Sequence, residues 1–146
     1  MSPTPVAPSI SDVSTALRIS VARLARRMRN EKADNELSDT QASTLAFLVR
    51  TGKGTINELS LYEHITPPSI NRTVNQLEAA GYVIRTNDEH DGRKVVVVPT
   101  ERGRRVVEET RRQRDAWLHK RLRALSVEDR ALLASAADLM RELADS

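Results

Sequence analysis

The stretch from Thr66 to Val98 constrains the chain most, because a helical pattern with an apolar inner stripe leads directly into two β-branched runs separated by a charged turn. Thr66 stands where an N-cap is expected, and Pro67 and Pro68 follow in the first turn, where backbone N–H groups have no intrahelical partner in any case. Ile70, Val74 and Leu77 recur at i, i+4 and i+7, so one helix face is buried. Ser69, Asn71, Arg72, Thr73, Asn75 and Gln76 are then expected to point elsewhere. This outward row is almost wholly hydrogen-bonding, where an ordinary solvated face would carry more Glu and Lys. An Asn or Gln amide sets a donor beside an acceptor and complements the adenine edge, while the Arg fork fits guanine or a phosphate. Gly81 closes the helix, and Tyr82–Thr86 and Lys94–Val98 flank a turn containing Asp91-Gly92, which predicts a hairpin. Such an order is that of a winged helix-turn-helix, a shape that enters a DNA groove. The expected DNA contacts are Thr66, Pro68, Ser69, Asn71, Arg72, Asn75 and Gln76 on the helix, with Arg93 and Lys94 on the wing and Asp91 orienting its tip.

The flanking segments read as helices. Residues 1–9, with Pro3, Pro5 and Pro8, are expected to form a flexible tail. Ile10, Val13, Leu17, Val21, Leu24 and Met28 step by three or four and predict a helix over about 10–31, its polar side carrying Arg18, Arg23, Arg26 and Arg29. Beyond a polar stretch near Asp34 and Asn35, Ser38 with Gln41 fits a capping box, and Ala42, Leu45 and Val49 carry the helix to Gly52. A second capping box, Thr55 with Glu58, starts a short helix holding Ile56, Leu59 and Leu61, which a tight turn at Glu63 to Ile65 separates from Thr66. A long helix is expected over 101–124. Ser126 with Asp129 opens a last one bearing Leu132, Leu133, Ala136, Leu139, Met140 and Leu143. The fold class is therefore mainly α with one hairpin (α+β): a winged lobe over 38–100, and a helical region built from 10–33 and 101–146, the part to which the resemblance given below assigns dimerisation.

Composition removes several alternatives. The chain has 146 residues and a formal net charge of only +3, so a nucleic-acid role has to rest on where the arginines lie rather than on bulk charge. It has no cysteine, which excludes a disulfide, a thiol nucleophile, Cys-ligated zinc and thiol redox sensing. No apolar run approaches the roughly 20 residues that span a bilayer, and no signal-like N-terminus is visible, so a cytoplasmic location with no membrane partner is expected. His64, His90 and His119 lie far apart without metal-ligand or triad spacing. Asp88-Glu89-His90-Asp91 carries metal-compatible groups, yet four adjacent residues on a turn rarely converge on one ion, and a solvated wing is the better reading. No catalytic residue, metal or cofactor is expected, and the chain does not read as an enzyme. Arg102, Arg104, Arg105, Arg111, Arg112 and Arg114 are interleaved with Glu101, Glu108 and Glu109, which suits a solvated, ion-paired helix, although Arg102 or Arg105 lies near enough to the wing to reach a DNA backbone. Trp117 suits a core or a subunit interface. At the hairpin tip, Arg93 could pair with Asp91 and still keep donors for a phosphate.

Over residues 10–144 the chain resembles the MarR family of bacterial transcriptional regulators. The resemblance is carried by Glu58-Leu59, by Ile65-Thr66-Pro67-Pro68-Ser69-Ile70, by Leu77-Glu78-Ala79-Ala80-Gly81-Tyr82-Val83, and by Asp91-Gly92-Arg93 followed by Pro99-Thr100-Glu101-Arg102-Gly103. Pro99 replaces the usual Leu of the step out of the wing, and His64 stands at a turn position often held by Gly, where a left-handed backbone is expected. The resemblance implies a homodimer with interleaved terminal helices and one winged lobe per subunit, acting as a ligand-responsive repressor. Twofold symmetry would set two recognition helices in successive major grooves of an inverted-repeat operator on double-stranded DNA. Aromatic or other amphipathic small molecules are the implied effectors, with no pocket residues carried over. The terminal stripes agree independently, since apolar faces of that length would be exposed in a lone small domain. The competing reading is a winged-helix module that binds another protein through its polar helix, with the dimer as a scaffold. Steep salt dependence of duplex affinity would separate the two.

Overall fold

The computed structural model describes residues 6–33 and 37–146. Residues 1–5 of the expected tail, and the polar stretch at Asp34 and Asn35, lie outside the described residues. The elements run α1 (Ile10–Arg29), α2 (Asp39–Thr51), α3 (Ile56–Glu63), α4 (Pro67–Ala79), β1 (Val83–Asn87), β2 (Val95–Pro99), α5 (Glu101–Leu122) and α6 (Val127–Ala144). No helix among the described residues is long and apolar enough to cross a membrane.

Local chemistry explains most of the boundaries. The capping box at Ser38 is complete: Gln41 N–H donates to Ser38 Oγ at 3.1 Å, and Ser38 N–H donates to Gln41 Oε1 at 2.9 Å. At Thr55 only half forms, the bond from Glu58 N–H to Thr55 Oγ1. His64 ends α3 in the left-handed conformation with φ 54° and ψ 38°, as its place in the turn predicts. Thr66 is the N-cap of α4 by position, but its side chain makes no capping bond. With Pro68 at the second position there is one fewer N–H to cap, and the Thr66 hydroxyl donates to Ser69 Oγ instead. Gly81, at φ 82°, closes α4 with Tyr82 N–H bonded back to Leu77 carbonyl at 2.9 Å.

The hairpin is antiparallel and pairs Val83 with Pro99 through Asn87 with Val95. Each strand starts one residue later than its β-branched run predicts. The physical cause is that Tyr82 N–H is committed to the α4 closure, while Lys94 N–H is committed to the wing turn by a 2.9 Å bond to Asp91 carbonyl. Gly54, in the link between α2 and α3, adds a third piece of backbone by exchanging both bonds with Val97, at 3.0 and 2.8 Å.

The core gathers between α2, α3, α4 and the hairpin: Leu45, Leu48, Leu59, Ile70, Val74, Leu77, Val83 and Val97 are fully buried. Thr73, expected on the outward row, is buried as well. Its hydroxyl donates to Ser69 carbonyl one turn back, which satisfies the donor within the helix and lets the methyl face the core. In contrast, α1 and α6 bury none of their residues. Leu132 is 68% exposed, Leu139 61% and Leu143 63%, so the described residues leave the apolar stripe of α6 uncovered.

Candidate nucleic-acid interface

With Ile70, Thr73, Val74 and Leu77 turned inward, α4 presents Thr66, Pro68, Asn71, Arg72, Asn75 and Gln76 on its exposed surface, and Ser69 sits half-buried at its start. Two of its amide side chains are held by residues outside the helix. Arg85 on β1 donates from Nη2 to Asn71 Oδ1 at 2.8 Å and from Nη1 to Glu78 Oε1 at 3.0 Å, while its backbone N–H reaches Glu78 Oε2 at 3.1 Å. The guanidinium thus ties the first wing strand to two positions two turns apart on α4, and the charge-assisted bonds hold Asn71 in one orientation. Gln76 Oε1 accepts from Gln41 Nε2 at 2.7 Å, joining α4 to the first turn of α2. Among the described residues, Arg72 and Asn75 have no side-chain hydrogen bond or ion pair.

Arg85, Glu78 and Gln41 were not among the residues the sequence nominated for this surface. Gln41 was recognisable as half of a capping box, but its spare N–H₂ carried no local signal. Glu78 and Arg85 lie in a helix and a strand on either side of the Gly81 corner, so no single helix or strand period relates them.

The wing tip is built on two acids. Asp91 Oδ1 accepts from Arg93 N–H at 3.1 Å, so Asp91 orients Arg93 through its backbone, and the guanidinium forms no ion pair among the described residues. Lys94 also has no side-chain hydrogen bond or ion pair there. Asp88 anchors the base of the wing: its Oδ1 accepts from Lys53 Nζ at 2.9 Å and from His90 N–H at 3.3 Å, with only 11% of the Asp88 side chain exposed. The Lys53 hydrogen bond, supported by that of His90 N–H, lowers the Asp88 carboxyl below its ordinary value, and the same bond to Asp88 raises the Lys53 ammonium above its own. Asp88 therefore serves as an ion-paired strut.

Behind the wing, Thr100 caps α5 through Gly103 N–H and donates its hydroxyl to Gly81 carbonyl at 2.6 Å. Arg102 stacks over Tyr82, 4.8 Å from the ring centre. Farther along α5, Arg112 pairs with Glu108 and Glu109, as the interleaved charges predict. The guanidinium groups of Arg27 and Arg121 lie over the Trp117 ring, at 5.8 and 3.6 Å from its centre. A cavity of about 550 Å³ opens between α2 and α5, with Leu45, Val49 and Val106 among its apolar lining and Arg50, Arg111 and Arg114 at its polar part. Arg114 Nε is buried there without a hydrogen-bond partner among the described residues.

A short helix, a tight turn, a second helix with an exposed polar row and a two-stranded wing beside it define a winged helix-turn-helix protein of the DNA-binding class. The chain belongs to the MarR family: the family model so described matches residues 36–94, within a similarity to whole regulators that spans nearly the full length. One such relative is the uncharacterized HTH-type transcriptional regulator Mb0904 of Mycobacterium bovis, 37% identical over 91% of this chain and 93% of that protein. Among solved structures, a MarR family protein from Bacillus stearothermophilus superposes with a TM-score of 0.83 at 24% identity, covering 94% of this chain and 96% of that one. Streptococcus pneumoniae FabT, solved in complex with DNA, superposes with a TM-score of 0.72 at 23% identity over 93% of this chain and 96% of its own. The chain is thus a MarR-family transcriptional regulator with a DNA-binding fold.

Proposed function

We propose that this regulator works as a cytoplasmic homodimer that binds an inverted-repeat operator in double-stranded DNA, and that it represses transcription until a small molecule enters the protein. The observation that carries the reading is the exposed row of α4 beside a wing whose Arg93 and Lys94 have no ionic partner among the described residues. In this arrangement Thr66, Pro68, Ser69, Asn71, Arg72, Asn75 and Gln76 enter or border the major groove. Arg93 and Lys94 grip the flanking backbone or minor groove, where cations position the protein more than they read sequence. Residues 38–100 form the lobe that meets DNA. The uncovered faces of α1 and α6 support dimerisation through 10–33 and 101–146, since apolar surface of that extent marks an interface. The cavity between α2 and α5 supports ligand response: it is largely apolar, with the guanidinium groups of Arg50, Arg111 and Arg114 and the Asp115 carboxylate in its lining, the composition of a site for an aromatic or amphipathic compound.

The test is sedimentation of the purified chain together with duplex binding across a salt series. A dimer whose affinity falls steeply between low and moderate salt, and which prefers particular sequences, supports the reading. A protein that ignores duplex DNA at low salt overturns it and leaves the protein-binding module as the alternative.

A further inference from the structure

We infer that Asn71 and Gln76 meet DNA as hydrogen-bond donors, selecting acceptor positions rather than the paired donor and acceptor of adenine; the inference rests on the proposed role of α4 as the reading helix. The two amides are oriented from behind by groups that leave no choice of rotation. A guanidinium has only donors, so whichever atom of the Asn71 amide faces Arg85 Nη2 at 2.8 Å must be the oxygen. Gln76 is oriented through one more residue. Ser38 N–H, itself only a donor, fixes Gln41 Oε1 at 2.9 Å, which places the Gln41 N–H₂ group toward Gln76 and again demands an oxygen there, at 2.7 Å.

Each oxygen keeps one lone pair. An adenine amino group using it would bring a second N–H against the donor already seated, and at Asn71 that donor carries a full positive charge. The free N–H₂ groups instead match guanine O6 and N7, thymine O4, or a phosphate oxygen. The capping box of α2 and the first wing strand therefore help to set base preference without touching a base. Asn75, whose amide has no partner among the described residues, is the side chain of the row able to offer both groups to adenine.

Replacing Gln41→Glu reverses one of these amides with little structural change, because Glu at that position preserves the capping box. The new carboxylate can only accept, so Gln76 must turn its N–H₂ inward and its oxygen toward DNA. The experiment sequences the duplexes that the full-length dimer retains from a randomised pool and measures affinities on the enriched sequence, with Gln41→Glu tested alone and on a Gln76→Ala background. Thermal melting confirms that each variant is folded. The wild type is expected to enrich guanine or thymine at a symmetric pair of positions, and Gln41→Glu to move that pair toward adenine or cytosine by on the order of tenfold. Arg85→Met is expected to admit adenine at a different pair, the one facing Asn71. On the Gln76→Ala background the effect of Gln41→Glu should shrink to that of its added charge. Coupling between residues 41 and 76 without a shift in base preference also supports the inference and assigns the Gln76 acceptor to a phosphate. Enrichment by the wild type, with Gln41→Glu acting equally on both backgrounds and preferences unmoved, overturns it while leaving the regulator reading intact. Absence of any enrichment by the wild type overturns both.

Discussion

In the proposed DNA-binding mode the cations at the wing and the amides of α4 make different demands on DNA, and single substitutions separate them. Lys94 ends in a compact ammonium that serves as a point charge, so Lys94→Ala should weaken specific and random duplexes by a similar factor. The slope of log affinity against log salt should become shallower by about one unit for each phosphate contact removed. Replacing Asn75 by Ala should instead cost on the order of 1–3 kcal/mol on the preferred sequence and much less on random DNA. Titrations of both variants at several salt concentrations make the comparison, and equal losses on both DNAs at Asn75 would remove its reading role. A second residue-scale expectation concerns Lys53 and Asp88. Because the folded Asp88 carboxyl titrates below its ordinary value, its contribution is fully present above the usual carboxylate range and fades as pH falls through the lowered one. The Lys53 ammonium titrates above its ordinary 10.5, so its contribution is complete below that value and disappears as pH rises through the raised one. The tie between the α2–α3 link and the wing therefore holds across the neutral range. In Lys53→Met the Asp88 carboxyl should titrate closer to an ordinary aspartate, as carbon NMR of that carboxyl would report; an unmoved midpoint would show that the pair is not formed in solution.

Among the elements, the junction where the wing hands over to α5 is the least forgiving. Tyr82 carbonyl accepts Thr100 N–H at 2.9 Å and lies so close to Gly103 that an added methyl group there would overlap it. That obstacle is backbone, so it cannot rotate away. Gly103→Ala should destabilise the fold by about 1–3 kcal/mol, the usual range for overpacking, and urea unfolding would measure it. Gly92, at the wing tip, has open space where a Cβ would stand. Gly92→Ala should change stability by less than about 0.5 kcal/mol, which makes it the control for a glycine whose role is not steric.

At the scale of the molecule, the contrast is between a winged lobe with a closed core and terminal helices with none. Deleting residues 126–146 removes the exposed stripe of Leu132, Leu139 and Leu143, and leaves the winged lobe's own packing untouched. If the proposed homodimer forms through these helices, sedimentation should then show its loss. Affinity for the preferred duplex should drop by on the order of a hundredfold, because each lobe loses the effective concentration provided by its tethered twin. A truncated chain that remains dimeric and binds equally well would defeat the assignment of α6 to the interface.

What the sequence determined by itself is whatever depends on neighbours within about two helical turns. The stripe of Ile70, Val74 and Leu77, the Ser38 and Gln41 capping box, the left-handed His64 and the Gly81 stop are all legible because periodicity, capping and φ preference act along the chain. The outward row of α4 was legible for the same reason, with one error: Thr73 has a polar group that its own helix satisfies, so the core could take its methyl. Only the tertiary structure decided which members of that row are held and by what. Gln41 and Gln76 are 35 residues apart and meet through the packing of α2 on α4, and Arg85 finds Asn71 through the Gly81 corner. The bridge from Gly54 to Val97 and the strut from Lys53 to Asp88 are of the same kind. Flexible polar side chains carry no period of their own, so their partners are set by where the apolar core brings the helices and the hairpin together.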